Sequence, residues 1–111
     1  MQAPCEATLL RIFVGDDDTY EDKPLCDEIV LKARAMGLAG ATATYGTLAF
    51  GPASRELQIV LRLSEDRPVV IEIVDSEDKI NAFLPIVGQM IESGLMTLQR
   101  VSVVRYGRKE G

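Results

Sequence analysis

The sequence lacks histidine and tryptophan altogether, and aromatic residues make up only 5% of its 111 positions. Without histidine, it has no imidazole to serve as a general base near neutral pH, as a partner for a nucleophile or as a metal ligand. The two cysteines, Cys5 and Cys26, are far apart in the chain and lack the CxxC spacing of a zinc site. We therefore expect no catalytic residues, no metal centre and two reduced thiols.

Long apolar runs and an excess of basic residues are also missing. No run reaches the roughly 18 residues that span a bilayer, and the first residues, MQAPCEATLL, do not resemble a signal peptide. Seventeen acidic residues against twelve basic ones give a net charge of −5, which repels a phosphate backbone. The sequence predicts a cytoplasmic protein with no direct membrane insertion and no nucleic-acid partner.

The composition that remains is that of a folded domain. Hydrophobic residues account for 47% of the chain and charged residues for 26%, a balance typical of globular proteins. A chain of this length can bury one core, whereas two halves would each be too small. We expect a single domain over residues 1–111.

The first half of the sequence predicts a strand, a helix and two extended segments. Residues 7–14 (ATLLRIFV) are rich in residues that favour strands. Pro24 suits the first helical position, apolar residues then recur at helical spacing, and Gly37 suits a left-handed helix end. Residues 41–50 predict a second strand, and the extended pattern resumes at 58–63.

The second half repeats this order. Residues 69–74 predict a strand, and Ser76 is placed to cap a second helix that Gly94 would end. Pro85 lies inside this helix, where it removes a backbone hydrogen bond, so we expect a kink or a break there. The last strand is predicted over residues 95–106.

This order of elements, β, α, β, loop, β, α, β, predicts an α+β fold of the ferredoxin-like split βαβ type. In that fold, a four-stranded antiparallel sheet carries both helices on one face. The other face is expected to present apolar residues from every strand. Another copy of the same sheet is the simplest partner to cover it.

Three stretches resemble a known family. LRIFVGDDDTYEDKPL, IVLKARAMGLAGATATYG and LRLSEDRPVVIEIVDSEDKINAFLPIV are similar to the uncharacterised family called domain of unknown function 190, a branch of the PII-like signal proteins. GLAGATATYGTLAFG is also similar to the GxxGxTxxxxxGFG stretch of the nitrogen-regulatory PII proteins. The resemblance implies a homotrimer that binds small effectors, usually adenine nucleotides, in three clefts between subunits.

The resemblance also suggests where a nucleotide would bind. Adenine would rest against the strand around Leu61 and Leu63, and the phosphate would meet Gly51 and arginines on the last strand of the neighbouring subunit. Arginine guanidinium groups match phosphate oxygens bidentately, and glycines let backbone approach a ligand closely. The candidate ligand-binding residues are Gly46, Phe50, Gly51, Ser54, Arg55, Leu61, Arg62, Leu63, Arg100 and Arg105.

The resemblance implies a function without catalysis. In PII proteins, a loop between the second and third strands changes shape with the bound nucleotide and docks on a membrane transporter or an enzyme. Residues 51–58 occupy that place here, but the segment is shorter than in PII proteins and lacks the tyrosine that is modified in them. Two alternatives remain: a small enzyme that uses the cleft between subunits, and a structural or metal-tolerance trimer.

Acidic residues allow two further interpretations. The run DDDTYED, residues 16–22, offers carboxylates to calcium, but its spacing does not fit an EF-hand. Glu65, Asp66 and Glu72 could form an acid–base pair, but SED before a proline is also ordinary turn chemistry.

Overall fold

The computed structural model describes residues 5–46 and 67–105. The predicted extended segment at 58–63 and the end of the predicted second strand lie outside the described residues. Within them, the main strands and helices follow one another in the predicted order, and a small hairpin, β2–β3, is added before the first helix. The elements are β1 (Cys5–Gly15), β2 (Thr19–Tyr20), β3 (Lys23–Pro24), α1 (Leu25–Ala35), β4 (Thr42–Tyr45), β5 (Pro68–Asp75), α2 (Glu77–Met90) and β6 (Leu95–Val103).

Four of the strands form one antiparallel sheet in the order β4-β5-β1-β6. The register is fixed along β1, where Leu10 lies opposite Ile73 of β5 and Leu98 of β6. Strands that are adjacent in the sheet are therefore not all consecutive in the chain. This arrangement confirms the predicted α+β fold of the ferredoxin-like type.

The core lies between the sheet and the two helices. Alternate residues of the central strands face the helices, because side chains alternate across a strand, and the helices contribute apolar residues at helical spacing. Both helices therefore cover the same face of the sheet. The core residues are Leu10, Ile12, Val14, Leu25, Ile29, Ala33, Val69, Ile71, Ile73, Ile80, Phe83, Val87 and Met90.

The acidic run after β1 forms a small hairpin that the sequence pattern did not indicate. In this hairpin, β2 pairs with β3, and Thr19 lies opposite Pro24. Glu21 and Asp22 form its two-residue turn with φ of 51° and 67°, the backbone of a type I′ turn. That turn usually contains asparagine and glycine, because both positions need a positive φ. Because glutamate and aspartate occupy these two positions instead, the sequence pattern does not predict the turn.

Helix α1 ends as predicted. Gly37 has a φ of 79°, and its N–H donates to the carbonyl of Arg34 at 3.1 Å, while that of Leu38 donates to Ala33 at 3.0 Å. These two bonds form a Schellman motif, which needs a left-handed residue at this position. Pro24 precedes the first helical residue, one position earlier than predicted.

Helix α2 departs from the prediction at two points. It continues through Pro85, so the expected kink or break is not a break, and the kink stays a prediction. Pro85 and Asn81, whose carbonyl it leaves without a helical partner, lie on the exposed side of the helix, where water can bond that carbonyl. The helix ends at Met90 and the backbone becomes extended at Ile91, so Gly94 does not terminate it.

Gly94 instead allows close packing against β1. A Cβ atom at this position would lie 2.8 Å from the backbone oxygen of Phe13. The strand that follows, β6, ends at Val103, earlier than predicted. Within the described part of the chain, neither helix is long and apolar enough to cross a membrane.

The sheet face opposite the helices is mixed in character, and we call it the open face. Register places Leu9 and Phe13 of β1 on it, beside Val74 and Val70 of β5. The described residues of β4 contribute threonines instead, at Thr42 and Thr44. The expectation that every strand brings apolar residues to this face is therefore wrong for β4 as far as it is described.

Candidate functional site

A concavity of about 540 Å³ lies on the open face, between the sheet and the loop that joins α1 to β4. Its floor comes from β1, β5 and β4, and its wall comes from the loop. This volume is within the usual range of small-molecule sites. The residues that line it are Leu9, Arg11, Ala39, Gly40, Ala41, Thr42, Glu72 and Val74.

An ion pair lies on the floor of the concavity. The Nε atom of Arg11 donates to Oε2 of Glu72 at 2.7 Å, and Nη1 of Arg11 donates to Oε1 of Gln99 at 3.2 Å. Arg11 lies opposite Glu72 in the register of β1 and β5, so strand pairing itself brings the charges together. Both side chains are about 40% exposed (39% and 42%), so the pair still faces solvent and contributes little to stability.

The wall of the concavity is attached to the start of α2 by a buried carboxylate. Asp75 is 3% exposed. Its Oδ2 accepts from the backbone N–H of Ala39 at 2.8 Å, and its Oδ1 accepts from that of Ser76 at 2.7 Å. Nearby, Nζ of Lys79 donates to the carbonyl of Gly37 at 3.1 Å. The first turn of α2 and the residue before its cap therefore hold the loop at two points.

The chemistry of the concavity suits a flat, polar-edged molecule. Leu9 and Val74 provide apolar surface, while the hydroxyl of Thr42 and the carboxylate of Glu72 can accept from an amine. The guanidinium of Arg11 adds a fixed positive charge. Gly40 leaves the rim open, because a Cβ atom there would have no neighbour within 4 Å.

The predicted residue Gly46 lies far from this concavity, at the end of β4. Its N–H donates to the carbonyl of Pro68 at 2.7 Å, and a Cβ atom on it would lie 2.9 Å from the side chain of Pro68. The group that lies close to the backbone of this glycine is therefore Pro68 of the neighbouring strand β5, where the sequence had suggested a ligand. Beside it, the guanidinium of Arg67 lies 4.3 Å from the ring centre of Tyr45.

Arg100 lies on the helix side of the sheet, opposite Thr8 of β1. It lines a smaller groove of about 220 Å³ together with Glu6 and Glu77. The concavity is on the other face, because its residue Leu9 is adjacent to Thr8 in the strand and adjacent side chains point to opposite faces.

Arg105 is also out of reach of the concavity in its own chain. Gln99 is the residue of β6 that pairs with Leu9, and Val103, four positions further along β6, lies about 13 Å from it at the usual strand rise. Arg105 follows two residues later. Gly46 and Arg100 are farther apart still. Gly46 bonds to Pro68, which pairs with Gly15 of β1, whereas Arg100 pairs with Thr8 of β1. Gly15 and Thr8 are about 23 Å apart at the usual strand rise.

The structure therefore does not bring the three described candidates, Gly46, Arg100 and Arg105, together within one chain. The other predicted site residues lie outside the described residues, and their placement stays a prediction. These residues are Phe50, Gly51, Ser54, Arg55, Leu61, Arg62 and Leu63.

Sequence reasoning missed Arg11 and Asp75 and interpreted Glu72 only as a possible acid–base group. A signal was present, because Arg11 interrupts the apolar run LLRIFV and Glu72 interrupts VVIEIV. Opposite charges inside two apolar strands suggest that the strands pair there. The ion pair with Arg11 weakens the acid–base interpretation of Glu72; Glu65 and Asp66 lie outside the described residues.

The acidic and cysteine side chains elsewhere in the described part of the chain form neither a metal-binding group nor a disulfide. No group of three or more acidic or cysteine side chains there is arranged to hold a metal ion. Asp16 interacts with Arg67 at 3.6 Å. Cys5 and Cys26 are not bonded to each other, and burial, with Asp27 and Asp16 nearby, raises the pKa of the Cys26 thiol.

Curated relatives are similar to this chain over most of their length. A UPF0166 protein of Aquifex aeolicus is 37% identical over 99 residues, which cover 86% of this chain and 91% of the relative. A UPF0166 protein of Methanocaldococcus jannaschii is 31% identical over 88 residues, which cover 79% of this chain and 82% of that protein.

Solved structures show the same fold at low sequence identity. A putative PII-like signaling protein of Thermus thermophilus superposes with a TM-score of 0.62 at 20% identity and covers 89% of this chain and 90% of its own. CPII of Thiomonas intermedia, a nitrogen regulatory PII-like protein bound to ADP, AMP and bicarbonate, gives a TM-score of 0.58 at 14% identity, with 91% of each chain covered.

The family model described as DUF190, Uncharacterized ACR, matches residues 7–103. This range includes both helices, the whole described sheet apart from the first residues of β1, and every residue that lines the concavity. The resemblance identified from the sequence is therefore confirmed, and the chain belongs to the DUF190 family, with the fold of the PII-like proteins.

Proposed function

We propose that this protein is a cytoplasmic, non-enzymatic sensor of the PII-like type. It assembles as a homotrimer and binds an adenine nucleotide in each cleft between two subunits. The concavity on the open face of one subunit takes the base, in place of the strand around Leu61 and Leu63 that the sequence suggested. Two arginines of the neighbouring subunit, Arg100 on β6 and Arg105 just after it, take the phosphate. The nucleotide acts as an effector and not as a catalytic cofactor.

The separation of the candidate residues is the observation that carries this proposal. The concavity holds apolar surface and acceptors, but Arg11 is the only one of the described cations that lines it, and Glu72 already pairs with it. Arg100 and Arg105 lie on the other face and beyond the end of β6. If these two arginines bind a ligand in the concavity, they come from a second copy of the chain, and most homo-oligomers are built from repeated copies of one contact.

Adenine fits the concavity by its chemistry. Its amine can donate to the carboxylate of Glu72 or to the hydroxyl of Thr42, while its ring can lie against Leu9 and Val74. The phosphate then needs positive charge, which an arginine supplies in bidentate form. The Thiomonas protein of the same fold, bound to ADP, AMP and bicarbonate, supports this choice of ligand.

A signalling role is favoured over catalysis by the side chains at the concavity. A general base must be in reach of the proton that it removes, and Glu72, the carboxylate that lines the concavity, is engaged with Arg11. We propose that segment 51–58 relays the nucleotide state to a protein target, a transporter or an enzyme. A ligand achieves this only if it interacts differently with the two states of the segment.

Calorimetric titration of the purified protein with AMP, ADP, ATP and a cyclic nucleotide tests the proposal. We expect at least one of them to bind. Replacing Gly40 with leucine should abolish this binding, because the new side chain enters open space at the rim without meeting the protein. Replacing Arg105 with alanine should weaken binding by about tenfold to a hundredfold, since hydrogen bonds to charged groups contribute about 1.5–3 kcal/mol.

Gly40→Ala serves as the matched control, because a methyl group at the rim leaves most of the concavity free. The absence of heat with all four nucleotides would reject the nucleotide-sensor proposal. Equal affinity in the wild type and Arg105→Ala would remove Arg105 from the site, and turnover of a nucleotide would favour the enzyme alternative.

A further inference from the structure

The loop that walls the concavity packs against the core at Leu38 and Ala41, but its middle residues have little packing to hold them in place. The 540 Å³ concavity lies on one side of residues 39–41, and a second cavity of about 260 Å³, lined by α1, lies on the other. Ala39 and Gly40 are exposed, and Cβ atoms built on Gly37 and Gly40 would meet nothing within 4 Å. At Ala39 and Gly40, hydrogen bonds therefore contribute more than packing to the position of the loop.

Asp75 provides the buried member of these bonds. The loop starts from the end of α1, where the N–H of Leu38 bonds to Ala33, and the N–H of the next residue, Ala39, donates to Asp75 at 2.8 Å. The second oxygen of Asp75 accepts from Ser76. A carboxylate has acceptors for both N–H groups, whereas an amide has one oxygen and would direct an NH₂ group at the other donor.

We propose that Asp75 is a positioning residue for the ligand site, which it shapes without touching the ligand. It holds residues 39–41 in the position in which they form the wall of the concavity, and it connects this wall to the start of α2. This inference rests on the proposed function where it concerns affinity, but the holding of the loop rests on the two hydrogen bonds of Asp75 alone.

The expected consequence of releasing the loop is a loss of affinity without a loss of assembly. A loop that is free before binding must be ordered by the ligand, and the entropy lost in ordering it reduces the affinity. Asp75→Asn should therefore weaken AMP binding by about tenfold. Ser76→Ala is the matched control, because it removes the side-chain cap of α2 at Lys79 but keeps both oxygens of Asp75.

Hydrogen exchange of the ligand-free protein, followed by AMP titration, tests the inference. We expect the amides of residues 39–41 to exchange faster in Asp75→Asn than in the wild type and in Ser76→Ala, and AMP affinity to fall only in Asp75→Asn. Unchanged exchange in Asp75→Asn would show that Asp75 does not hold the loop. Faster exchange with unchanged affinity, or an equal loss of affinity in Ser76→Ala, would show that Asp75 does not position the site.

A wild-type protein that binds no AMP would reject the role of Asp75 in AMP affinity. A protein that binds none of the four nucleotides would reject the proposed function as well. The exchange rates would still decide whether Asp75 holds the loop, so the failure of one claim is distinguishable from the failure of the other.

Discussion

Replacing Gly94 with alanine should destabilise the fold, although no backbone strain is involved. The φ of Gly94 is not in the left-handed region, but its added Cβ would lie 2.8 Å from the oxygen of Phe13 and 3.0 Å from Cγ2 of Ile91. The first neighbour is backbone of a central strand, which cannot move aside alone. Forcing one extra carbon into a packed site costs about 1–3 kcal/mol, and we expect a loss of that size.

Two other glycines provide the comparison. Gly37→Ala should cost about 1–2 kcal/mol, because its φ of 79° is unfavourable for alanine while its Cβ position is open. Gly40→Ala should change stability by less than about 1 kcal/mol and can be stabilising, because alanine restricts the unfolded chain. Urea unfolding at one fixed protein concentration measures all three, since the proposed assembly would make stability concentration-dependent. A Gly94→Ala protein as stable as Gly40→Ala would refute the packing argument.

Three further predictions follow from particular residues. Asp22→Gly should stabilise the protein by up to about 1 kcal/mol, because glycine relieves the positive φ of 67°; thermal unfolding measures this, and a lower stability would contradict it. Val103→Asp should disrupt the proposed trimer if Val103 faces the neighbour, and light scattering should then give a mass near 12.2 kDa. An unchanged mass would place Val103 outside the interface. Cys26 should react slowly with iodoacetamide at pH 8, because burial and Asp27 raise the pKa of its thiol and so reduce its thiolate fraction. Asp27→Asn should speed the reaction. A Cys26 that reacts as fast as a free thiol would count against this.

Local patterns were sufficient to predict the main elements. The apolar strands β1 and β5 and the amphipathic helix α1 carry their periodicity in consecutive residues, and Gly37 marks a helix end by its own conformational freedom. The errors concern features that neighbours in space decide. The role of Gly94 depends on a carbonyl of β1, and the continuation of α2 through Pro85 depends on which side of the helix faces solvent.

The candidate site was less predictable because it depends on strand register. Arg11, Glu72 and Gln99 are distant in the chain and become neighbours only through the pairing of β1 with β5 and β6. A shift of one residue would move each of them to the other face. The role of Asp75 is hidden for the same reason, since its partner Ala39 belongs to a loop of the other half of the fold.

A subunit-mixing titration tests the central claim, that one nucleotide site is made by two copies of the chain, most directly. Gly40→Leu blocks the concavity of its own subunit, and Arg105→Ala removes the arginine that its own subunit offers to a neighbour. After the two proteins are unfolded and refolded together in equal amounts, about a quarter of the clefts in random trimers combine an intact concavity with an intact arginine. We predict that this fraction of sites regains wild-type affinity for AMP. A mixture that shows only the weak AMP binding of Arg105→Ala and no site with wild-type affinity would contradict a shared site.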